Sequence, residues 1–229
     1  MPTEHLFDTG AKAAADIAAR IAGVLSEAVA ERGVASIAVS GGRSPRPVLE
    51  ALARADLDWS KVVVTLVDER WVDAHDESSN ERLVRETLLQ GDAAQARFVP
   101  MKNDAADAYA GQPLVEAAFA DLPWPLDIVL LGMGEDGHTA SLFPQARELA
   151  EGLSSEARTI AVNPPAAPHQ RLSLTASAIL AARHIFLQIS GNAKTAIYSG
   201  ALEDGPVEQL PIRLALHQDR TPVEVWISA

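Results

Sequence analysis

The 229-residue chain contains no cysteine. That excludes disulfides, thiolate nucleophiles and zinc sites built on sulfur, and it fits a reducing cytoplasm. Aromatic residues make up only 5% of a chain that is 48% hydrophobic, so the core is expected to consist mostly of Ala, Val, Leu and Ile. No apolar run reaches the length needed to span a membrane. The stretch from Met1 to Asp8 lacks a basic region followed by an apolar one, so no secretory signal is expected there. Positive charge is also scarce, and the formal balance is −12. A net acidic chain argues against nucleic acid as a partner. Most of the acids are read as keeping a cytoplasmic protein in solution. A small anionic substrate remains compatible, because a pocket can gather a few Arg and Lys locally. No repeat, low-complexity segment or linker divides the chain, which reads as a single domain over 1–229.

What is present alternates. Residues 8 to 32 carry Ala13, Ile17, Ile21, Val24, Leu25 and Val29 at helical spacing, with Gly33 as a stop. Residues 35–39 read as a short strand, 62–67 as a β-branched strand buried on both faces, and 126–131 as another. Strands are also expected at 97–100, 159–162, 171–175 (half-buried, by its alternation), 184–189 and 223–227. Helices are expected to about Ala53, from Ser78 or Ser79 to about Gln90, and over 176–182. A further helix follows 190–194 and ends near Asp204. Residues 104–121 read as helical in two pieces, because Gly111 and Pro113 interrupt the pattern. A Pro-rich connection spans 163–170. Strands alternating with helices predict an α/β fold: a mostly parallel sheet flanked by helices on both faces, three-layered and Rossmann-like.

Four polar motifs stand at the ends of expected strands, where sites of open α/β sheets are built. The richest is Gly132-Met133-Gly134-Glu135-Asp136-Gly137-His138, which places three glycines, two acids and a histidine just past an apolar run. A structural turn needs the glycines but not the histidine, which can take up a proton and return it near neutral pH. Ser40-Gly41-Gly42-Arg43-Ser44-Pro45 joins a strand to a helix. It reads either as an anion site or as a plain turn with Ser44 as cap and Pro45 as first helical residue. Asp68-Glu69-Arg70 follows a buried strand and is read as a site element or as an ion pair closing the sheet end. Ser190 to Lys194 turns into a helix, and Arg171 opens a strand nearby. Several cations about a glycine turn fit a phosphate, and a histidine near carboxylates fits acid–base work. No Walker A pattern, dinucleotide signature, G-x-S-x-G elbow or H-E-x-x-H motif is present. A covalent serine or a zinc-bound water is therefore unsupported. His75 and His169, in polar loops, read as surface residues, although His169 lies close enough to Arg171 to reach a pocket mouth.

On these residues the chain closely resembles the 6-phosphogluconolactonase family, within the sugar-phosphate isomerase/deaminase-like fold group. The resemblance runs from about residue 8 to 229. It is carried most specifically by Gly132 through Pro144, then by Asp68-Glu69-Arg70 with Ser79-Asn80, by 40–45, by 171–175 and by 191–194. Ser44 stands where Thr is commoner in the family, and Asp73 where Pro is frequent. The resemblance implies metal-free, cofactor-free hydrolysis of 6-phospho-D-glucono-1,5-lactone to 6-phosphogluconate in the oxidative pentose phosphate route. It implies His138 as general base, with Asp68 or Asp136 orienting its imidazole. It implies Arg70 at the carbonyl oxygen or at the phosphate, and Gly41, Gly42, Ser44, Arg171 and Lys194 as the phosphate-holding set. A related deaminase/isomerase chemistry wants a Glu five residues after the histidine, where this chain has Phe143. A non-catalytic sugar-phosphate sensor would usually add a basic DNA-binding segment, which this acidic sequence does not show.

Overall fold

The computed structural model describes residues 2–165 and 167–229. Residue 166, inside the Pro-rich connection expected at 163–170, and Met1, in the stretch read for a signal, lie outside the described residues. The elements in chain order are β1 (Thr3–Phe7), α1 (Gly10–Arg32), β2 (Ala35–Val39), α2 (Arg46–Leu52), β3 (Val62–Leu66) and β4 (Asp68–Arg70). They continue with α3 (Asn80–Thr87), β5 (Arg97–Phe98), α4 (Ala108–Phe119), β6 (Ile128–Gly132), α5 (Leu149–Ser154), β7 (Thr159–Val162) and β8 (Arg171–Leu174). The chain closes with α6 (Ala176–Leu180), β9 (His184–Ser190), α7 (Asn192–Leu202), α8 (Arg213–Leu216) and β10 (Val223–Ser228).

Seven strands form one wholly parallel sheet in the order β1-β10-β9-β6-β2-β3-β5. β2 and β3 are buried along their whole length, as strands covered on both faces must be. α1 packs on the sheet through Ala13, Ile17, Ile21, Val24 and Leu25. Thr9 caps its start by accepting from Lys12 N, and Gly33 ends it at φ 75°, donating its N–H to Val29 O at 2.9 Å.

Several boundaries differ from expectation for identifiable reasons. β1 was not foreseen: its five residues are mostly exposed, and its partner β10 lies at the far end of the chain. α4 is one continuous helix, not two pieces. Tertiary anchors outweigh the local cost of Pro113: Gln112 bonds Thr159 O and Ala161 N, and Glu116 accepts from Arg158 N and Thr159 N. α2 starts at Arg46 with no side-chain cap, so Ser44 does not act as the cap. Ser79, not Ser78, caps α3, which stops at Thr87.

A second sheet was also unforeseen. β4, β8 and β7 pair antiparallel in the order β4-β8-β7. β8 is buried at all four positions instead of half-buried. Its alternating polar residues meet internal partners, since Ser173 Oγ accepts from Ser141 N and Arg171 faces Asp68. This small sheet brings Asp68, Arg70 and Arg171 to the edge of the large one.

Glu69 joins β4 to α3. Its buried carboxylate accepts from the backbone N–H groups of Arg70 (2.7 Å), Asn80 (2.8 Å) and Glu81 (2.7 Å), and from Ser79 Oγ (3.0 Å). It therefore satisfies N–H groups of the first turn of α3 that no helical carbonyl can reach. Burial pushes its pKa up, against the pull of those backbone bonds. A raised carboxyl pKa favours the folded state below the ordinary value, and that advantage fades as pH rises through the raised one. At neutral pH, relief of the buried charge thus offsets part of what Glu69→Ala loses. A net destabilisation of about 1–3 kcal/mol is expected for Glu69→Ala, read by chemical denaturation at pH 7. An unchanged midpoint would show that the four bonds do no more than offset the cost of burying the charge.

Candidate active site

The loops after β2, β6 and β9, neighbours in the centre of the sheet, meet the start of β4 and of β8 around one cleft of about 200 Å³. Every residue assigned from sequence except Asp136 lines it: Gly41, Gly42, Ser44, Asp68, Arg70, His138, Arg171 and Lys194. Asp136 touches the cleft through His138. Arg43, Asn80, Met133 and Ala140 complete much of the wall.

The loop after β6 is folded by its own backbone. Gly134 N donates to His138 O at 2.9 Å, and Gly137 N to Gly134 O at 3.0 Å, with Gly137 at φ 76°. The buried Thr139 hydroxyl donates back to Gly132 O at 2.9 Å, and Ile212 N donates to Gly137 O at 2.9 Å. This closed loop presents Asp136 and His138 side by side. Asp136 Oδ1 lies 2.5 Å from His138 Nδ1 and also accepts from His138 N at 3.2 Å. Burial acts to raise the Asp136 pKa, but the hydrogen bonds and charge of His138 prevail and hold it below the ordinary carboxylate value. Asp136 is thus ionised at neutral pH. An ionised carboxylate only accepts, so Nδ1 donates and Nε2 is left as the basic nitrogen.

Of the two acids proposed to orient the imidazole, then, Asp136 makes the contact. Asp68 does other work. Its Oδ2 accepts from the fully buried Ser141 hydroxyl at 2.6 Å and lies 3.8 Å from Arg171 Nη1. Arg171 donates to Pro168 O at 3.3 Å, and its pKa is lowered by burial, against the favourable charge of Asp68. Arg70 stands opposite Arg171 in the antiparallel register and donates through Nη1 to Ser78 O at 2.6 Å. Lys194 follows Gly191, whose φ of 86° turns the chain into α7, and has no ion-pair partner among the described residues.

The 40–45 turn is stitched to the histidine loop. Ser40 Oγ donates to Leu130 O at 2.8 Å and accepts from Gly132 N at 3.1 Å. Gly41 has no room for a side chain, because a Cβ there would strike the Asn80 carboxamide. Asn80 in turn donates to Asp68 O at 2.8 Å. In the sequence, Asn80 and Ser141 carry no signal beyond their place in motifs. Arg43 and Arg46 extend positive charge into an adjoining cleft of about 300 Å³. His75 and His169 are exposed, and neither lines this cleft. Among the described residues no group of three His, Asp or Glu is placed to hold a metal, and no helix is long and apolar enough to cross a membrane.

A parallel α/β sheet with a glycine-lined cationic cleft and a carboxylate-paired histidine at its strand ends fits an enzyme acting on phosphorylated sugars. Residues 8–225 match the family described as glucosamine-6-phosphate isomerases/6-phosphogluconolactonase, and the chain belongs to that family. A 6-phosphogluconolactonase of Mesorhizobium japonicum is 44% identical over 224 residues, covering 97% of this chain and 93% of the relative. The crystal structure of a 6-phosphogluconolactonase from Shewanella baltica superposes with a TM-score of 0.99 at 45% identity, covering 100% of this chain and 98% of the other. A monomeric glucosamine-6-phosphate deaminase superposes with a TM-score of 0.83 at 22% identity, covering 99% and 97%. That last likeness is one of fold.

Gly134 tests the geometry of the pair. A Cβ there would collide with the His138 ring and come within 2.6 Å of Asp136 Oδ1. Gly134→Ala should lower kcat about 100-fold while circular dichroism and melting temperature stay close to wild type. Full activity would mean that the pair is not held where the reaction needs it.

Proposed function

We propose that the chain is a 6-phosphogluconolactonase, hydrolysing 6-phospho-D-glucono-1,5-lactone to 6-phosphogluconate by histidine-assisted attack of water. The observation that carries the mechanism is the short Asp136–His138 contact inside a cleft rich in cations. His138 Nε2 takes a proton from water as its oxygen adds to the lactone carbonyl. The carbonyl oxygen becomes an oxyanion, and Arg70, oriented by Ser78 O, is the cation assigned to it. Collapse of the tetrahedral intermediate breaks the bond between the carbonyl carbon and the ring oxygen. The imidazolium returns its proton to that oxygen, which leaves as the sugar hydroxyl, and the new carboxylic acid ionises. Asp136 keeps the imidazole in the required tautomer and balances its charge during the cycle. No cofactor or metal takes part in this scheme.

The phosphate is assigned to Gly41, Gly42 and Ser44 of the turn, with Lys194 and Arg171. Lys194 has no counter-ion among the described residues, and Arg171 is held beside Asp68. Holding the remote phosphate positions the lactone against His138. The partner is a small phosphorylated lactone; nucleic acid and membrane have no place in the reading, and the site of action is the cytoplasm. Phe143, in the position where ring-opening deaminase chemistry wants an acid, favours the lactonase over that alternative.

The decisive assay follows acid release from freshly prepared lactone against the uncatalysed opening. His138→Ala should lower kcat by about 10²–10⁴-fold with KM little changed. Asp136→Asn should fall in the same direction. Lys194→Ala should act mainly on KM. An enzyme rate equal to the spontaneous rate would overturn the lactonase reading, and an unchanged kcat in His138→Ala would overturn the base.

A further inference from the structure

The hydrogen bond at Nδ1 fixes one edge of the imidazole but leaves latitude in the tilt of its plane. A second constraint comes from Phe143. Its ring centroid lies 4.1 Å from that of His138, with the two planes inclined by 31°. Phe143 is itself 6% exposed, so its ring has little freedom of its own. Its backbone belongs to the same tied loop: Leu142 N donates to Thr139 O at 3.0 Å, and Ala146 N donates to Phe143 O at 3.2 Å. The guanidinium carbon of Arg171 lies 5.8 Å from the same phenyl centroid. Arg171 faces Asp68, and Asp68 holds the hydroxyl of Ser141, two residues before Phe143. The contacts close a circuit from the imidazole through the phenyl ring to the buried cation and back into the histidine loop.

We infer that Phe143 is a positioning residue for the hydrolysis: its flat face sets the plane of the His138 imidazole, so that Nε2 points at the attacking water, and couples the base to Arg171. The inference rests on the base role proposed for His138. A branched aliphatic side chain of similar bulk fills the space but offers no flat face, so it preserves packing and loses orientation. A residue that only fills the core would act on stability alone. A positioning residue acts on kcat, and only while the imidazole is present.

The test is a double-mutant cycle on the full chain, with thermal melting as control and rates taken above spontaneous lactone opening. Phe143→Leu should lower kcat roughly 10–100-fold with KM within about twofold of wild type. Phe143→Tyr, which keeps the ring, should restore most of the rate. On a His138→Ala background, Phe143→Leu should leave the residual rate unchanged. Where the Leu variant melts below the assay temperature, Phe143→Met at a lower temperature carries the same comparison. Unchanged kcat in Phe143→Leu, an effect confined to KM, or an equal loss on both backgrounds overturns the proposal. If His138→Ala alone retains full kcat, it is the base assignment that has failed. A large loss in His138→Ala beside a wild-type Phe143→Leu removes only the role of Phe143.

Discussion

The contact of Asp136 with His138 Nδ1 is the interaction around which the cleft is arranged. It decides which imidazole nitrogen is basic, and it needs a backbone that brings two side chains separated by one residue into direct contact. That backbone is available only because Gly134 leaves space for the ring and Gly137 takes up a positive φ. The remaining bonds of the loop, from Thr139 to Gly132 and from Ile212 to Gly137, hold the arrangement before any substrate arrives. In the mechanism proposed for His138, such preorganisation leaves little reorientation for the moment of reaction.

Charge is distributed with equal economy. The chain carries a formal charge of −12, yet Arg43, Arg70, Arg171 and Lys194 converge on one cleft. Asp68 fixes the deepest of these cations, and Asn80 fixes Asp68 through its backbone carbonyl. Glu69 anchors the start of α3 and so places Asn80 beneath Gly41. The acids at the end of β3 therefore divide their tasks: one holds a cation, and the other holds a helix.

Much of this was legible in the sequence, and the part that was not has physical causes. The run Val62 to Val67, of which Val62–Leu66 form β3, announced a doubly buried strand because β-branched residues face apolar layers on both sides. The loop after β6 pointed to a candidate site because a structural turn needs its glycines but not His138. The choice between Asp68 and Asp136 was not legible, because both lie past strand ends and only coordinates show which oxygen reaches the ring. The antiparallel sheet was hidden because Arg171 and Ser173 are polar residues turned inward toward Asp68 and Ser141. β1 was hidden because its register is set by a strand more than two hundred residues away.

The proposed chemistry depends on the tautomer of one ring. Nitrogen-15 NMR of the neutral form of the imidazole reads it directly. His138 should show a protonated Nδ1 and a bare Nε2, and this preference should weaken in Asp136→Asn. A ring protonated at Nε2 in the wild-type protein, with Nδ1 unprotonated, would contradict the account.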